Sequence, residues 1–394
     1  MDQLKYDSLY SGLVSINKSL GGTQSMPDSE YGAMIDLMET LSGQPVGENG
    51  DAFDAVSTVA TMAENGELPI QGGGDEKESI SEAGVKFGYS TFSTAPNKYR
   101  YDSISDASYM FYSCKNLAGI PDDFNFAGIV DGSYAFSRCT KLTGTLRDIY
   151  LTNAVCVDEM FSRSGITTVE NFSAPSVDEY GYADAFASCP NLTSINGISF
   201  DTAISANGMF KNCRSLKTIQ NFSMPNVTDI GEMFYNCASL ESVPVFDTSN
   251  VTYAADVFRN CTSLQHIPSM NLSKCNFFSG SFFGCTNLQS IGEIDLSGAT
   301  QPPTLFNANM ELLTDLGGFP GLSVGFNEGY GLNRCPNLSK TSIENVVNNL
   351  KDVSSTGTIQ TLYLSTSVQD KVDEQITSTA TAKGWAIAFN IIEN

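Results

Sequence analysis

Residues 229–251 read D-I-G-E-M-F-Y-N-C-A-S-L-E-S-V-P-V-F-D-T-S-N-V, and the same string, blurred, returns every two dozen residues along the chain. With Phe234 as origin, Cys237, Leu240, Val243 and Phe246 follow at steps of three. Counted on its Phe position the pattern runs Phe111, Phe136, Phe161, Phe186, Phe210, Phe234, Phe258, Phe282, Phe306, with gaps of 25 and then 24 residues. A looser copy sets Leu332, Cys335 and Leu338 at the same places. Such a period marks a protein built by stacking one unit on the next, each unable to bury its apolar face alone. The 394 residues therefore predict one elongated array rather than two or three globular cores.

Inside each copy two spacings alternate. Apolar residues stand seven, four and zero positions before each Phe position, as in Val227, Ile230 and Phe234, which predicts one face of a helix or 3₁₀ segment. The other half, for example Leu240-Glu-Ser-Val-Pro-Val-Phe246, is short, β-branched and proline-bearing, and reads as a brief strand. Asp247-Thr-Ser-Asn250 then turns the chain back with side chains that satisfy backbone groups locally. The expected fold is an α/β repeat solenoid of about ten coils of 24–25 residues, within the leucine-rich repeat range.

Outside the array, residues 1–70 read as short amphipathic helices; the clearest follows Pro27-Asp28-Ser29, with Tyr31, Met34, Ile35, Met38 and Leu41 as its apolar stripe and Gly43 as its cap. Residues 71–79, Gln-Gly-Gly-Gly-Asp-Glu-Lys-Glu-Ser, are a linker by composition. The solenoid is assigned to 80–340. Its first part, to residue 103, is read as an N-terminal cap in which Val85, Phe87 and Tyr89 alternate as an edge strand. Residues 341–394 are read as an α/β C-terminal capping module: a helix from Ser342, a strand over 359–364, a second helix over 367–383 ending at Gly384, and a last strand from Trp385, the only tryptophan and a core residue.

The formal charge of -23 leaves no basic stripe to neutralise phosphates, so neither nucleic acid nor an anionic membrane surface is an expected partner. No apolar stretch approaches the roughly 18 residues that span a bilayer, and the start, Met1-Asp-Gln-Leu-Lys-Tyr-Asp-Ser, predicts no secretory signal. Seven of the ten cysteines, at 114, 139, 189, 213, 237, 261 and 285, share one repeat position, and their spacing is the repeat's own. No pair stands two or three residues apart as a zinc knuckle requires, and parallel stacked side chains lack disulfide geometry, so buried free thiols are expected. Cys275 stands where Val227 and Val251 stand and reads as another apolar filler.

His266 is the only histidine, and no nucleophile or orienting acid accompanies it; the acids form no calcium loop, and Gly72–Gly74 lacks the Lys-Ser/Thr of a phosphate loop. No catalytic residue, metal or cofactor is predicted. Asn226-Val-Thr and Asn250-Val-Thr belong to the repeat's turn and are weak glycosylation signals. What remains is surface. Flanking the inward Ile column of the strand side are Ser194, Asn196, Thr218, Gln220, Ser242, His266 and Ser290, with Pro244, Pro268 and Gly292, a small, polar and nearly uncharged candidate contact face suited to a protein or saccharide.

The string Met233-Phe234-Tyr-Asn-Cys237-Ala-Ser-Leu240-Glu-Ser-Val243-Pro-Val-Phe246-Asp-Thr-Ser-Asn-Val-Thr resembles the BspA-type leucine-rich repeats of bacterial surface proteins and tailed phages, over roughly residues 104–340. Val85-Lys-Phe-Gly-Tyr-Ser-Thr-Phe-Ser-Thr-Ala-Pro96 and the tail are similar to phage-encoded members in particular. Ser164, Asn309 and Glu179 depart from the pattern and mark coils expected to be looser. The resemblance implies a non-enzymatic phage virion structural protein, a fibre, tail-associated or capsid decoration. In it residues 1–70 would dock to other virion proteins and the rod would bind a bacterial surface protein or glycan at the particle surface. The other reading is a bacterial cell-surface adhesin or host-interaction protein; a homo-oligomer is compatible with either.

Overall fold

The computed structural model describes residues 78–79, 87–97, 99–175, 183–326 and 328–390. The helical region expected over 1–70, the linker except 78–79, Val85 and Glu179 lie outside the described residues.

Around each Phe position from Phe111 to Phe282 the chain forms overlapping turns, not the predicted helix or 3₁₀ segment; Phe306 departs from this pattern, and only at Leu332–Arg334, the Phe position of the looser copy, does a 3₁₀ turn stand. Met110 N–H donates to Ala107 O and Cys114 N–H to Phe111 O, both at 3.0 Å, closing four-residue turns within the coil. The intervening N–H groups of Tyr109, Phe111 and Ser113 leave the coil and donate to Ser133, Ala135 and Ser137 of the next one, at 2.9, 2.8 and 2.8 Å. A helix keeps every such bond internal. Here the residues two before and two after each Phe from Phe111 to Phe282 take positive φ, as Glu232 (52°) and Asn236 (61°) do about Phe234, which the third position of a type II turn requires. The inward positions are nonetheless those the periodicity named: Val227, Ile230 and Phe234 are all buried.

The strand side is parallel throughout. Short β1 (Glu78–Ser79) pairs with β2 (Tyr99–Arg100), and β3 (Gly144–Tyr150), β4 (Ile166–Ser173), β5 (Ser194–Ser199) and β6 (Thr218–Ser223) follow as one sheet in chain order. A second group holds β7 (His266–Ile267), β8 (Met270–Asn271), β9 (Ser290–Asp295) and β10 (Asp315–Gly318). The strand predicted over 240–246 is absent; there only Ser242 bridges to His266. Pro244 has no N–H to give a ladder, and Pro268 likewise stands in the break between β7 and β8. Ile166 stands five residues after Phe161, where Leu240 stands six after Phe234, and this irregularity appears as a register shift at Gly144/Thr145 between β3 and β4.

Between these two walls runs a continuous apolar core from Phe87 to Trp385. Its spine is a stack of phenylalanine rings, each facing the next: Phe210, Phe234 and Phe258 are spaced 5.7 Å apart and lie within 10° of parallel. Phe87 is the first ring of that stack, 5.4 Å from Phe111. Residues 87–90 therefore form turns, with Tyr89 at φ 66°, and not the predicted edge strand. All ten cysteines are free, and eight of them are buried at or beside the repeat position, with Cys275 buried and Cys156 half-buried. At the return turn Asn226 and Asn250 do not act only locally: their Nδ2 groups donate to Asp201 O and Pro225 O of the preceding coil.

Beyond the repeats, α1 (Lys340–Asn349) starts at Ser339, whose Oγ accepts from Ser342 N–H at 3.1 Å, and buries Ile343, Val346 and Val347. It packs on β10, where Leu316 N–H donates to Ser342 Oγ at 2.9 Å. Strands β11 (Gln360–Ser365) and β12 (Trp385–Asn390) pair in parallel. The single helix predicted over 367–383 is divided: a 3₁₀ turn covers Thr366–Lys371, and α2 (Glu374–Ala382) starts afresh where Asp373 accepts from Ile376 N–H. Trp385 is buried, its indole N–H donating to Lys351 O at 2.9 Å. Among the described residues no helix is long and apolar enough to cross a membrane.

Candidate binding faces

Strands β4, β5 and β6 set their outward residues in rows across the rod. Thr168, Ser194 and Thr218 are register partners in one row, and Glu170, Asn196 and Gln220 in the next. Each row stands outside the buried column Val169, Ile195 and Ile219. Ser242, His266 and Ser290 continue the first row beyond the Pro244 break through a bridge and the β7–β9 pairing. The seven residues of the predicted contact face thus share one side of the solenoid, but as two groups separated where the strand is missing. Asn196, Thr218, Gln220, Ser242 and His266 are exposed, and Ser194 and Ser290 half-buried. His266 Nδ1 lies 2.8 Å from Ser290 Oγ.

The face is less neutral than the sequence suggested. Arg147 on β3 pairs with Glu170 at 2.8 Å at one end, and Asp315 is the register partner of Ser290 at the other. Only its middle, β5 and β6, presents amides and hydroxyls alone.

The opposite wall, made of turns, carries features that the sequence reading missed. Tyr109 and Tyr134 stack at 4.6 Å with Tyr112 edge-on to both, and Arg138 lies 5.5 Å over the Tyr112 ring. Next along the rod come Asp158, Glu159 and Asp184. Burial, then the charge of Glu159, raises the carboxyl pKa of both Asp158 and Asp184 to about 6. The Tyr134 phenol is raised as well, first by burial and then by Glu159. Further on, Lys211 pairs with Glu232 and Arg259 with Asp256, Lys211 and Arg259 also lying over the Tyr235 ring.

Where the return turn meets this wall the repeat leaves apolar side chains in water. Val130, Val155 and Ile204 occupy one repeat position, and Tyr253 and Phe277 the next; each is at least 36% exposed. Their signal was in the sequence at the repeat's own spacing, yet a contact list drawn only from the strand side passes over it.

Among the described residues no group of three or more His, Cys, Asp or Glu is arranged to hold a metal ion. No curated protein matches the sequence. A solved leucine-rich repeat protein from Bacteroides ovatus ATCC 8483 is 15% identical, with 77% of this chain and 90% of that chain covered. Its TM-score of 0.21 is too low for the fold to be argued from it, so the solenoid rests on the coil-to-coil pairing described above. The family described as "Mycoplasma protein of unknown function, DUF285" matches residues 83–188 and 204–319, more than half of the chain and most of the repeat array. The chain, with its BspA-type repeats, belongs to that family.

Proposed function

We propose that this protein is a non-enzymatic binding rod that works at a surface, its repeats contacting a bacterial surface protein or glycan. The observation that carries this reading is the array itself. Its Phe, Cys, Leu and Ile columns are consumed in one continuous core, and its coils leave long, regular faces of hydroxyls, amides and aromatic rings to a partner. A solenoid in which each coil contacts only its neighbours offers extended surface rather than an enclosed cleft.

In its finer form the reading is a phage virion protein, fibre, tail-associated or capsid decoration, attached through residues 1–70 and presenting the rod outward. It is supported by the similarity of Val85–Pro96 and of the tail to phage-encoded repeats. A bacterial cell-surface adhesin is the second reading, favoured by a family described from Mycoplasma. Mass spectrometry of purified particles and of surface-shaved cells separates them. Recovery in particles supports the first, recovery on cells the second, and a chain found in neither fraction ends both. Binding of the purified chain to bacterial cells tests the common part.

A further inference from the structure

We propose that the Tyr253–Phe277 edge is a subsite for a single neutral sugar ring, deepening the reading of the rod as a surface binder. These two rings stack at 5.4 Å and 9° from parallel, in coils joined by a bridge between the same residues, and each remains 40% exposed. Buried rings of this chain stack to fill the core; this pair stacks in water. Tyr253 lies against Gly231, where an added Cβ would come within 2.8 Å of its ring, so the glycine lets the ring settle against the coil.

Beside Phe277 opens a hollow of about 270 Å³, lined by Asn276, Phe277, Phe278, Ser279, Gln301 and Thr304 together with Pro302. Ser279 and Thr304 bond to each other, which fixes the hydroxyl side of the hollow. The carboxamides of Asn276 and Gln301 are exposed and make no hydrogen bond to another described residue. No charged side chain lines the hollow, in a chain whose formal charge is -23. Phosphorylated or carboxylated ligands would meet no cation in the hollow, and the charges of Asp229, Asp256 and Glu232, which reach the Tyr253 hydroxyl, oppose them further. A pyranose fits each term. Its axial C–H face is apolar and covers an aromatic ring, while its equatorial hydroxyls point sideways to amides and hydroxyls.

The test is saturation-transfer NMR on the full chain with methyl glycosides of glucose, galactose and N-acetylglucosamine, each at about 20 mM because one ring binds in the millimolar range. Saturation of the ring C–H protons of at least one of them is expected. Phe277→Ala should weaken that binding about tenfold, the worth of one stacked ring, and Phe277→Trp should keep it. Thermal melting of each variant verifies the fold; Phe277 is 40% exposed and stacks only on Tyr253, so the melt should fall by no more than a few degrees. Three outcomes overturn the subsite: no transfer from any of the glycosides, binding undiminished in Phe277→Ala, or an apolar peptide displacing the sugar at far lower concentration. The wider reading is tested apart. Cell binding that survives Phe277→Ala removes the subsite and leaves the rod's function standing, whereas a sugar bound at Phe277 by a rod that binds no cell does the reverse.

Discussion

The thiol of Cys237 donates to the carbonyl oxygen of Phe210 in the preceding coil, Sγ to O 3.1 Å. Six other cysteines repeat the bond, among them Cys213 to Phe186 and Cys261 to Phe234, at 3.1 and 3.0 Å. The cysteine column is therefore more than filler. Its S–H groups add a second bond to carbonyls that already accept a turn N–H, as Phe210 O does from Cys213 N–H at 3.1 Å, and so tie each turn to the next coil.

Thiol labelling should expose this arrangement. Burial raises the Cys139 and Cys285 thiols to about 12 and Cys275 to about 11, so little thiolate forms near pH 8. Only Cys156, half-exposed at the turn wall, should alkylate in the native chain, and all ten after denaturation. Mass spectrometry of iodoacetamide-treated protein checks it; modification of the 237 or 261 peptide without unfolding would contradict the ladder. Cys237→Ala removes donor and volume together but leaves Phe210 O its bond from Cys213 N–H, so it should cost about 1–2 kcal/mol, and Cys237→Ser, which keeps a donor, less.

Phe234 lies between Phe210 and Phe258 and is 1% exposed. Replacing it with Asp removes two stacked contacts and buries a charge in a column that has no cation. Truncation of such a ring alone costs about 3–5 kcal/mol. Because each coil is supported only by its neighbours, the loss should split denaturant unfolding of the rod into two transitions about coil 234. A single transition at the original midpoint would count against the stacked core.

Asp158 and Asp184 set a pH dependence with a defined sign. Their carboxyls titrate near 6 in the fold because burial and then Glu159 oppose ionisation, against about 4 when unfolded. The folded chain thus binds more protons than the unfolded one between those values, and stability falls as pH rises from about 4 to 6, then levels. Both groups keep part of their surface in water, so after discounting for screening each contributes about 1 kcal/mol. Asp158→Asn should raise the melting temperature at pH 7 and flatten the curve between pH 4 and 6; no change in the slope would show that this wall is not where the charge is stored.

How much of this was written in the sequence follows from what a 24-residue period can carry. It identified the columns Phe234, Cys237 and Leu240 as core because burial is a property of spacing. It did not identify the backbone between them. Spacings of three and four suit both a helix and a run of overlapping turns, and the deciding facts, positive φ at Glu232 and Asn236 and the outward N–H bonds, come from the next coil. The strand expected over 240–246 fails at Pro244, whose missing N–H suits an edge strand but gives no ladder bond. Phe87 stands 24 residues before Phe111 and was legible as the first ring, had the count begun one coil earlier. The contact face was placed on one side of the rod, while the apolar edge at Tyr253 and Phe277 was passed over because exposure cannot be read from a column of apolar letters.

The two faces make opposite predictions. Thr218 and Gln220 on β6 and His266 on β7 project from the strand side and take part in no core contact, so converting all three to Glu leaves the buried column at Ile219 and Ile267 intact. The only described side-chain bond lost is that of His266 to Ser290, an exposed pair worth about 1 kcal/mol at most. The melting temperature should therefore hold within a few degrees. If partner contact uses the strand face, adding two carboxylates to its uncharged middle and one to the β7 row desolvates charge against the partner, and cell binding should fall by about a hundredfold. If contact uses the edge, the same variant binds as before and Phe277→Ala does not. Cell-binding curves for the two variants, measured side by side, assign the face; unchanged binding in both would remove these surfaces and leave the tyrosine group at Tyr109, Tyr112 and Tyr134 as the next to test.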